Sequence, residues 1–169
     1  MFRSHRPCLS RGILAGTAAG LVAAWVMNQF LVAWSKAQSA LECPAKEAQS
    51  EGEDSTEKVA DAIARAMTGR HLSKAAKKRA GPVVHYAFGG LMGGAYGALA
   101  EYSREARRGF GTMFGTVLFV GADEIVVPLL GLGKPPNKES ISSQASHLAA
   151  HMVYGASVEV VRRGLRKLM

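Results

Sequence analysis

Residues 12–34 read GILAGTAAGLVAAWVMNQFLVAW and contain no charged side chain. Because about 20 apolar residues suffice for a helix to cross a bilayer, this stretch predicts a transmembrane helix. Arginines precede it, as they do in a secretory signal peptide, but the apolar region of a signal peptide is usually only about 7–15 residues long. This stretch is longer, and it carries Asn28 and Gln29. We therefore expect an uncleaved helix.

Three further apolar stretches occupy residues 82–100, 109–133 and 141–161. All three approach the length of a membrane span, the first being the shortest and the last the most polar. The sequence therefore predicts an all-α fold, an integral membrane bundle of about four transmembrane helices. Residues 1–169 are expected to form a single membrane domain.

The segment between the first two stretches, residues 35–81, is polar and predicts a loop. Within it, Asp54 and Glu57 have the spacing of a helix capping box. Four apolar residues then recur at helical spacing until Gly69: Val59, Ile63, Ala66 and Met67. We expect a short amphipathic helix here, lying against the membrane surface. Pro82 is expected in the first turn of the next helix.

The chain carries a net charge of +8, and 48% of its residues are hydrophobic. A soluble nucleic-acid-binding protein would not also contain several stretches near spanning length, so we expect no nucleic-acid partner. The lipid bilayer, with its anionic surface, is the expected partner. In a four-span arrangement the amino-terminal segment, the basic carboxyl end and the loop with Arg104, Arg107 and Arg108 share one side. The excess of basic residues predicts that this side is cytoplasmic.

Two cysteines, Cys8 and Cys43, flank the first apolar stretch. We expect them on opposite faces of the membrane and therefore not paired with each other. Neither lies in a metal-binding Cys/His spacing.

Small residues are spaced for close helix contact. In lipid, helices associate largely through close backbone packing, which favours glycines four residues apart. The expected packing residues are Gly12, Gly16, Gly20, Gly89, Gly93, Gly97, Gly111 and Gly115.

A weak internal repeat is also present. YGALAE at residues 96–101 resembles YGASVE at residues 154–159, and a GxxxGT motif begins both at Gly12 and at Gly111. Two similarly oriented helical hairpins produced by duplication would explain this pattern, and chance similarity between Gly/Ala-rich helices would also explain it.

Six polar residues fall within the predicted spans. An ionisable residue in a span is costly and generally faces a protein interior or a wet cavity. If the spans alternate in direction, Asn28, His85, Asp123 and His147 lie in one half of the bundle, and His151, closer to the midplane, extends this layer inward into a shared polar core. The set is Asn28, His85, Asp123, Glu124, His147 and His151. Glu101 and Glu159, near the opposite helix ends, are expected at the interface beside arginines.

His147 and His151 lie four residues apart, which places both imidazoles on one helix face. Three roles remain open for this pair: packing against Asp123 and Glu124, proton handling, and metal binding. The spacing is compatible with a metal, but the pair is not part of an HExxH motif. If the role is proton handling, replacing either histidine should change a pH-dependent property of the protein.

No sequence motif of an enzyme is present. The chain has no P-loop, Rossmann fingerprint or GxSxG nucleophile elbow. We therefore expect no catalytic residue and no cofactor.

Four motifs together carry a resemblance to a known family. They are EKVADAIARAMTG (57–69), HYAFGGLMGGAYGALAE (85–101), GADEIVVPLLGLG (121–133) and SHLAAHMVYGASVEVVRR (146–163). With them the sequence resembles the YagU-like family of uncharacterised bacterial inner-membrane proteins. The resemblance implies a helical inner-membrane protein and supplies no substrate or catalytic residue.

These observations predict a non-enzymatic, multi-pass protein of the inner membrane with both termini in the cytoplasm. Its polar, proton-sensitive helix core would serve envelope or acid-stress physiology. One alternative is a small proton or ion transporter, which would be a homo-oligomer because four short helices enclose little space. The other is an accessory subunit whose glycine faces dock onto a larger membrane complex.

Overall fold

The structure, a computed structural model, describes residues 7–41, 54–132 and 140–169. All regular secondary structure in these ranges is helical, which confirms the predicted all-α class for the described residues. The α-helices are α1 (Leu9–Leu41), α2 (Ser55–Thr68), α3 (Lys74–Tyr102), α4 (Thr112–Leu118), α5 (Val127–Leu129) and α6 (Ile141–Leu168).

The region between α3 and α6 is the least regular part of the bundle. A 3₁₀ segment, Glu105–Gly111, precedes α4, and a π-helical segment, Phe119–Val126, joins α4 to α5. Phe110 and its two flanking glycines have positive φ, and this turn separates the 3₁₀ segment from α4. The predicted third span is therefore a helix with a wide central section. Its last predicted residue, Gly133, lies outside the described residues.

Neighbouring long helices run antiparallel. Arg11 near the start of α1 donates a hydrogen bond to the Met169 carbonyl (2.9 Å), and Gln38 near its end bonds Ser142 (3.0 Å). Gly12 meets Glu101 and Gly20 meets Gly89, so α3 also runs against α1. Both described chain ends and the α3–α4 connection therefore lie together, at what we call the basic end. Its cations are Arg11, Arg104, Arg107, Arg108, Arg162, Arg163, Arg166 and Lys167.

Glycines bring the backbones of α1 and α3 into direct contact. A Cβ atom on Gly93 would lie 2.6 Å from Gly20 Cα, closer than such atoms approach. All six glycines predicted to pack here contact one another's backbone: Gly12, Gly16 and Gly20 on α1, and Gly89, Gly93 and Gly97 on α3.

A second glycine contact joins the start of α4 to α6. Gly111 meets the Gly155 backbone and Gly115 meets the His151 backbone. Gly111 also has a φ of 87°, a conformation that favours glycine. In the first hairpin Gly12 meets Gly97, so the YG dipeptides of the internal repeat occupy equivalent positions in the two hairpins.

The bundle has small side chains inside and large apolar ones outside. Its buried apolar residues are mainly alanines, including Ala15, Ala19 and Ala150, each 0% exposed. By contrast, Leu91 is 65% exposed and Val117 is 64% exposed. Two helical segments, Leu9–Ala40 and Glu105–Leu129, are long and apolar enough to cross a membrane. Helices α3 and α6 are also long but do not meet the same criterion of length and apolar composition.

Several predicted boundaries were wrong. Residues 35–81 are not one loop, because α1 continues to Leu41 and α3 begins at Lys74. The earlier start follows from Ser73, whose hydroxyl accepts a bond from the Ala76 amide and caps α3, so Pro82 lies inside the helix. Helix α6 continues past residue 161 because the arginines of its last turns pair with buried glutamates.

The predicted amphipathic helix is α2. Its C-cap residue is Gly69, which has a φ of 70°. Asp54 is its N-cap, but the Asp54 side chain makes no capping hydrogen bond, so the predicted capping box does not form in that way. Cys8 is a free thiol, and Cys43 lies outside the described residues.

Candidate functional site

A cavity of about 700 Å³ lies in the half of the bundle away from the basic end. Helices α1, α3 and α6 and the π-helical segment contribute its walls, and the first turn of α2 lies at its mouth. The structure brings all six residues of the predicted polar core to this cavity: Asn28, His85, Asp123, Glu124, His147 and His151.

One charged contact in the cavity joins Asp123 and His151. His151 Nε2 lies 3.6 Å from Asp123 Oδ2, and the His151 side chain is only 9% exposed. The other ring nitrogen, Nδ1, lies 2.9 Å from the His147 carbonyl oxygen. Because a carbonyl only accepts, Nδ1 must carry a hydrogen, and a neutral His151 then presents an unprotonated Nε2 to the Asp123 carboxylate.

This arrangement makes the pair a site where a proton changes the interaction. Without a proton between them, Nε2 and Oδ2 are both acceptors and cannot hydrogen-bond. With one proton on either group, the contact becomes a donor–acceptor pair and is charge-assisted if His151 is cationic. The Phe119 ring, centred 5.5 Å from the imidazole, covers His151.

The other polar residues surround this pair on different elements. His85 Nε2 is 3.4 Å from the Ala24 carbonyl oxygen across the α1–α3 contact. Asn28 reaches the cavity from the next turn of α1. Glu124 is partly exposed, and no hydrogen bond or ion pair joins its carboxylate to another of the residues that the structure describes.

Apolar side chains line the cavity between these polar groups. Met27, Leu31, Phe88, Leu118 and Val126 are among the wall residues. At the mouth, the first turn of α2 crosses α3 at Gly81, where a Cβ would lie 3.0 Å from Glu57 Cγ. Helix α2 is therefore packed across α3 beside the cavity.

The π-helical segment forms part of the cavity lining through Ala122, Asp123 and Glu124. A π-helical section contains extra residues per turn, is rare, and occurs frequently at functional sites. Where α4 packs on α6, Gly115 touches backbone, but no atom lies within 4 Å of a Cβ placed on Gly121 in the π-helical segment. The chain thus leaves open space beside Gly121, close in sequence to Asp123 and Glu124.

Towards the basic end the interior is closed by aromatic side chains. Tyr154 lines the inner end of the cavity and donates a hydrogen bond to the Gly89 carbonyl (2.5 Å). Beyond it the Tyr96 ring packs on Phe114, with centroids 4.7 Å apart.

A buried ion network follows at the basic end, and the sequence analysis missed it. Glu159 is completely buried and bonds Tyr96 (3.0 Å), Arg162 Nε (2.9 Å) and Arg163 Nε (2.6 Å). Glu159 lies beside arginines, as expected, and is buried inside the bundle; its position at a membrane interface stays a prediction. The signal that could have revealed the network is the position of Arg162 and Arg163, three and four residues after Glu159 on one helix face.

Glu101 holds the equivalent place in the first hairpin. Its carboxylate, 6% exposed, receives two bonds from Arg166 (2.6 and 2.9 Å), and the Cys8 amide at the start of α1 donates a third (3.0 Å). Glu101 is thus also buried inside the bundle, and it caps α1 while holding α6. Among the described residues, the Arg166 Nη1 atom has no hydrogen-bond partner.

Outside the predicted spans, Asp61 stabilises the turn between α2 and α3. It accepts hydrogen bonds from His71 Nδ1 (2.7 Å) and from the Leu72 amide (2.7 Å), and Lys77 Nζ lies 3.2 Å away. The His71 hydrogen bond, with those from Leu72 and Lys77, lowers the pKa of Asp61 from 3.8 to about 2.

Within the described ranges no group of three or more histidine, cysteine, aspartate or glutamate side chains is placed to hold a metal ion. Asp123 and His151 would supply two ligands to a metal ion. The carbonyl oxygen of His147 accepts a hydrogen bond from the His151 imidazole.

A comparison with protein families matches residues 61–160 to the model described as "Protein of unknown function (DUF1440)". The match runs from α2 into α6 and includes most of the cavity. No curated protein and no solved structure matches the chain.

Proposed function

The chain belongs to the DUF1440 family of proteins of unknown function, and we propose that it is a multi-pass membrane protein with a proton-responsive internal cavity. It acts without catalysis, through a change in the polar core when Asp123 or His151 gains a proton. As in the YagU-like proteins that it resembles, the membrane is the bacterial inner membrane, and acid or envelope stress is the setting in which such a response is useful.

The distribution of side chains supports four membrane spans. Large apolar residues cover the outside, while glycine, alanine and paired charges fill the inside. In water the exposed apolar surface would be costly, whereas in lipid it faces its preferred solvent. Helices α3 and α6 are less apolar because they supply the glycines and the buried ions. Both then cross the bilayer as inward-facing partners of α1 and of the α4–α5 region.

The basic end supports an orientation with both termini in the cytoplasm, because basic residues concentrate on that side of bacterial inner-membrane proteins. A carboxyl-terminal fusion tests this: a fluorescent reporter that works only in the cytoplasm should be active, and an alkaline phosphatase reporter that works only outside should be inactive. The reverse pattern would overturn the orientation. Fusions after Tyr102, predicted cytoplasmic, and after Leu132, predicted external, provide matched comparisons.

The 3.6 Å contact between Asp123 and His151 is the observation that carries the proton response. Other titratable groups line the same cavity from every side, and each influences the pair. They are Asp54, Glu57, Lys78, His85, Glu124 and His147.

A titration in lipid nanodiscs tests the proposal directly. The methyl group of Ala122, which lines the cavity beside Asp123, would be followed by NMR between pH 8 and pH 5. Its shift should depend on pH in the wild-type protein, and this dependence should be reduced in Asp123→Asn and in His151→Gln. His71→Gln, which removes a histidine from the α2–α3 turn, is the control and should retain the dependence. A wild-type signal that does not change with pH, or one that titrates unchanged in both cavity variants, would refute the proton response.

The shape of the cavity favours transport as a second candidate. The cavity is open beside α2 and closed towards the basic end by Tyr154, Tyr96 and Phe114, as one access state of a transporter would be. Proton flux into liposomes containing a pH-sensitive dye, abolished by Asp123→Asn and retained in Glu105→Gln, would establish it. The accessory-subunit alternative has less support, because the predicted packing glycines contact helices of this same chain.

A further inference from the structure

The cavity combines an apolar body with an excess of carboxylates. Among the described residues, four acidic side chains and one lysine line it. The acidic residues are Asp54, Glu57, Asp123 and Glu124, and the lysine is Lys78. With neutral histidines the described part of the lining therefore carries a net negative charge. Basic residues lie at both ends of the bundle, and at the end away from the cavity Arg162 and Arg166 are paired with Glu159 and Glu101.

Two of the carboxylates lie within the predicted third span. Asp123 and Glu124 project from the π-helical segment, whereas Asp54 and Glu57 lie at the start of α2. In the proposed membrane setting, attraction between opposite charges is stronger than in water. Since no described side chain pairs with Glu124, this carboxylate can serve as counter-ion to a bound group.

The volume of the cavity suits a small molecule. At about 700 Å³ it falls within the range of roughly 300–1,000 Å³ typical of ligand sites. Its walls include Met27, Leu31 and Phe88, which match an apolar ligand body, and the Phe88 ring can also contact a cation through its face.

We propose that this cavity binds a lipophilic organic cation, an amine or onium group carried on an apolar body, with Asp123 and Glu124 as counter-ions. The inference rests on the proposed function, because it uses the same cavity and the same membrane setting. Protons and the cation compete for the same carboxylates, so proton uptake releases the ligand. A molecule of the same shape with a negative charge is excluded.

A matched pair of probes tests the charge preference. Tetraphenylphosphonium and tetraphenylborate have nearly the same shape and opposite charge. Equilibrium dialysis would measure binding of each to the full-length protein in phosphatidylcholine nanodiscs, with empty nanodiscs subtracted. The wild-type protein should bind the cation saturably and the anion not at all above the lipid background, and cation binding should weaken as the pH falls from 8 to 5. Equal binding of both probes, or no saturable binding of the cation, would refute the inference without any variant being needed.

Variants then locate the site. Glu124→Gln should weaken tetraphenylphosphonium binding about tenfold, as expected for a lost interaction of about 1.4 kcal/mol, and Asp123→Asn should act similarly. Glu105→Gln removes the same charge from the exposed pair with Arg108 at the basic end and should leave binding unchanged. Cation binding that is the same in all three variants would place the site elsewhere and overturn the inference.

The two experiments distinguish failure of the ligand site from failure of the proton response. A protein whose Ala122 signal titrates but which does not bind the cation loses only this inference. A protein that binds the cation saturably but shows no titration linked to His151 loses the proton response and retains the ligand site.

Discussion

The phenol of Tyr96 on α3 donates a hydrogen bond of 3.0 Å to the Glu159 carboxylate on α6, and both residues are 0% exposed. The bond connects the two hairpins at the level where the cavity is closed. The Arg162 guanidinium lies 5.9 Å from the centre of the Tyr96 ring and bonds the same carboxylate. Tyr96 is therefore both a packing residue and a hydrogen-bond donor of the buried ion network.

Replacing Tyr96 with phenylalanine isolates the donor role. Tyr96→Phe should lower the free energy of unfolding by about 1–2 kcal/mol, because a buried charged acceptor loses one of its donors while the ring packing is preserved. Unfolding by a denaturing detergent in mixed micelles, followed by circular dichroism, measures the change. Tyr102→Phe is the control, since Tyr102 is 65% exposed. Equal effects of the two substitutions would contradict a stabilising role for the bond.

The contact between Glu101 and Arg166 predicts a larger loss of stability. Glu101→Gln should destabilise the protein by about 3–5 kcal/mol, because Arg166 would remain buried without its counter-ion. The double variant Glu101→Gln/Arg166→Met should recover part of the loss. Glu105 and Arg108 form the matched exposed pair, with side chains 67% exposed, and Glu105→Gln should cost at most about 0.5 kcal/mol. A Glu101→Gln variant as stable as Glu105→Gln would show that the buried network contributes little.

The sequence carried enough information to identify the helices and the cavity residues. Apolar length and glycine spacing predict the main helices and the α1–α3 contact. Alternating helix direction places Asn28, His85, Asp123 and His147 at one depth, and the structure brings them to one cavity. These features depend on local periodicity and on chain direction, both of which can be read from a single sequence.

The buried ion network and the π-helical segment could not be predicted in the same way. Glu101 and Glu159 lie beside arginines at helix ends, a pattern that is typical of an interface when no tertiary contact is known. Their burial depends on how closely the glycine contacts bring α1, α3 and α6 together. The π-helical segment likewise has no distinct pattern in its eight residues, FVGADEIV, because it depends on how α4 packs on α6.

The glycine contact between α1 and α3 predicts a position-specific effect. Gly93→Ala should destabilise the protein by about 1–3 kcal/mol, because the added Cβ would force the two backbones apart. Gly164→Ala is the matched control in α6, where nothing lies within 4 Å of the added atom. There the substitution should stabilise the helix by about 0.5–1 kcal/mol, since alanine is the better helix former. Detergent unfolding of both variants measures the difference, and two changes of the same sign and size would contradict direct backbone contact.

The Asp61 turn predicts a pH dependence outside the predicted spans. Because the pKa of Asp61 is lowered in the folded protein from 3.8 to about 2, its ionised form stabilises the α2–α3 turn. This contribution is fully present above the ordinary pKa and is lost as the pH falls through the folded value. The window of loss is therefore between about pH 4 and pH 2.

The Leu72 amide reports this event, because it donates directly to Asp61 Oδ1 at 2.7 Å. Its NMR shift in nanodiscs should titrate with a midpoint near pH 2 in the wild-type protein. His71→Ala removes the hydrogen bond that lowers the pKa most, so its midpoint should move up towards 3.8. Asp61→Asn should abolish the titration and increase hydrogen exchange in α2 at neutral pH. A wild-type midpoint near 3.8 that His71→Ala leaves unchanged would mean that Asp61 does not hold the turn.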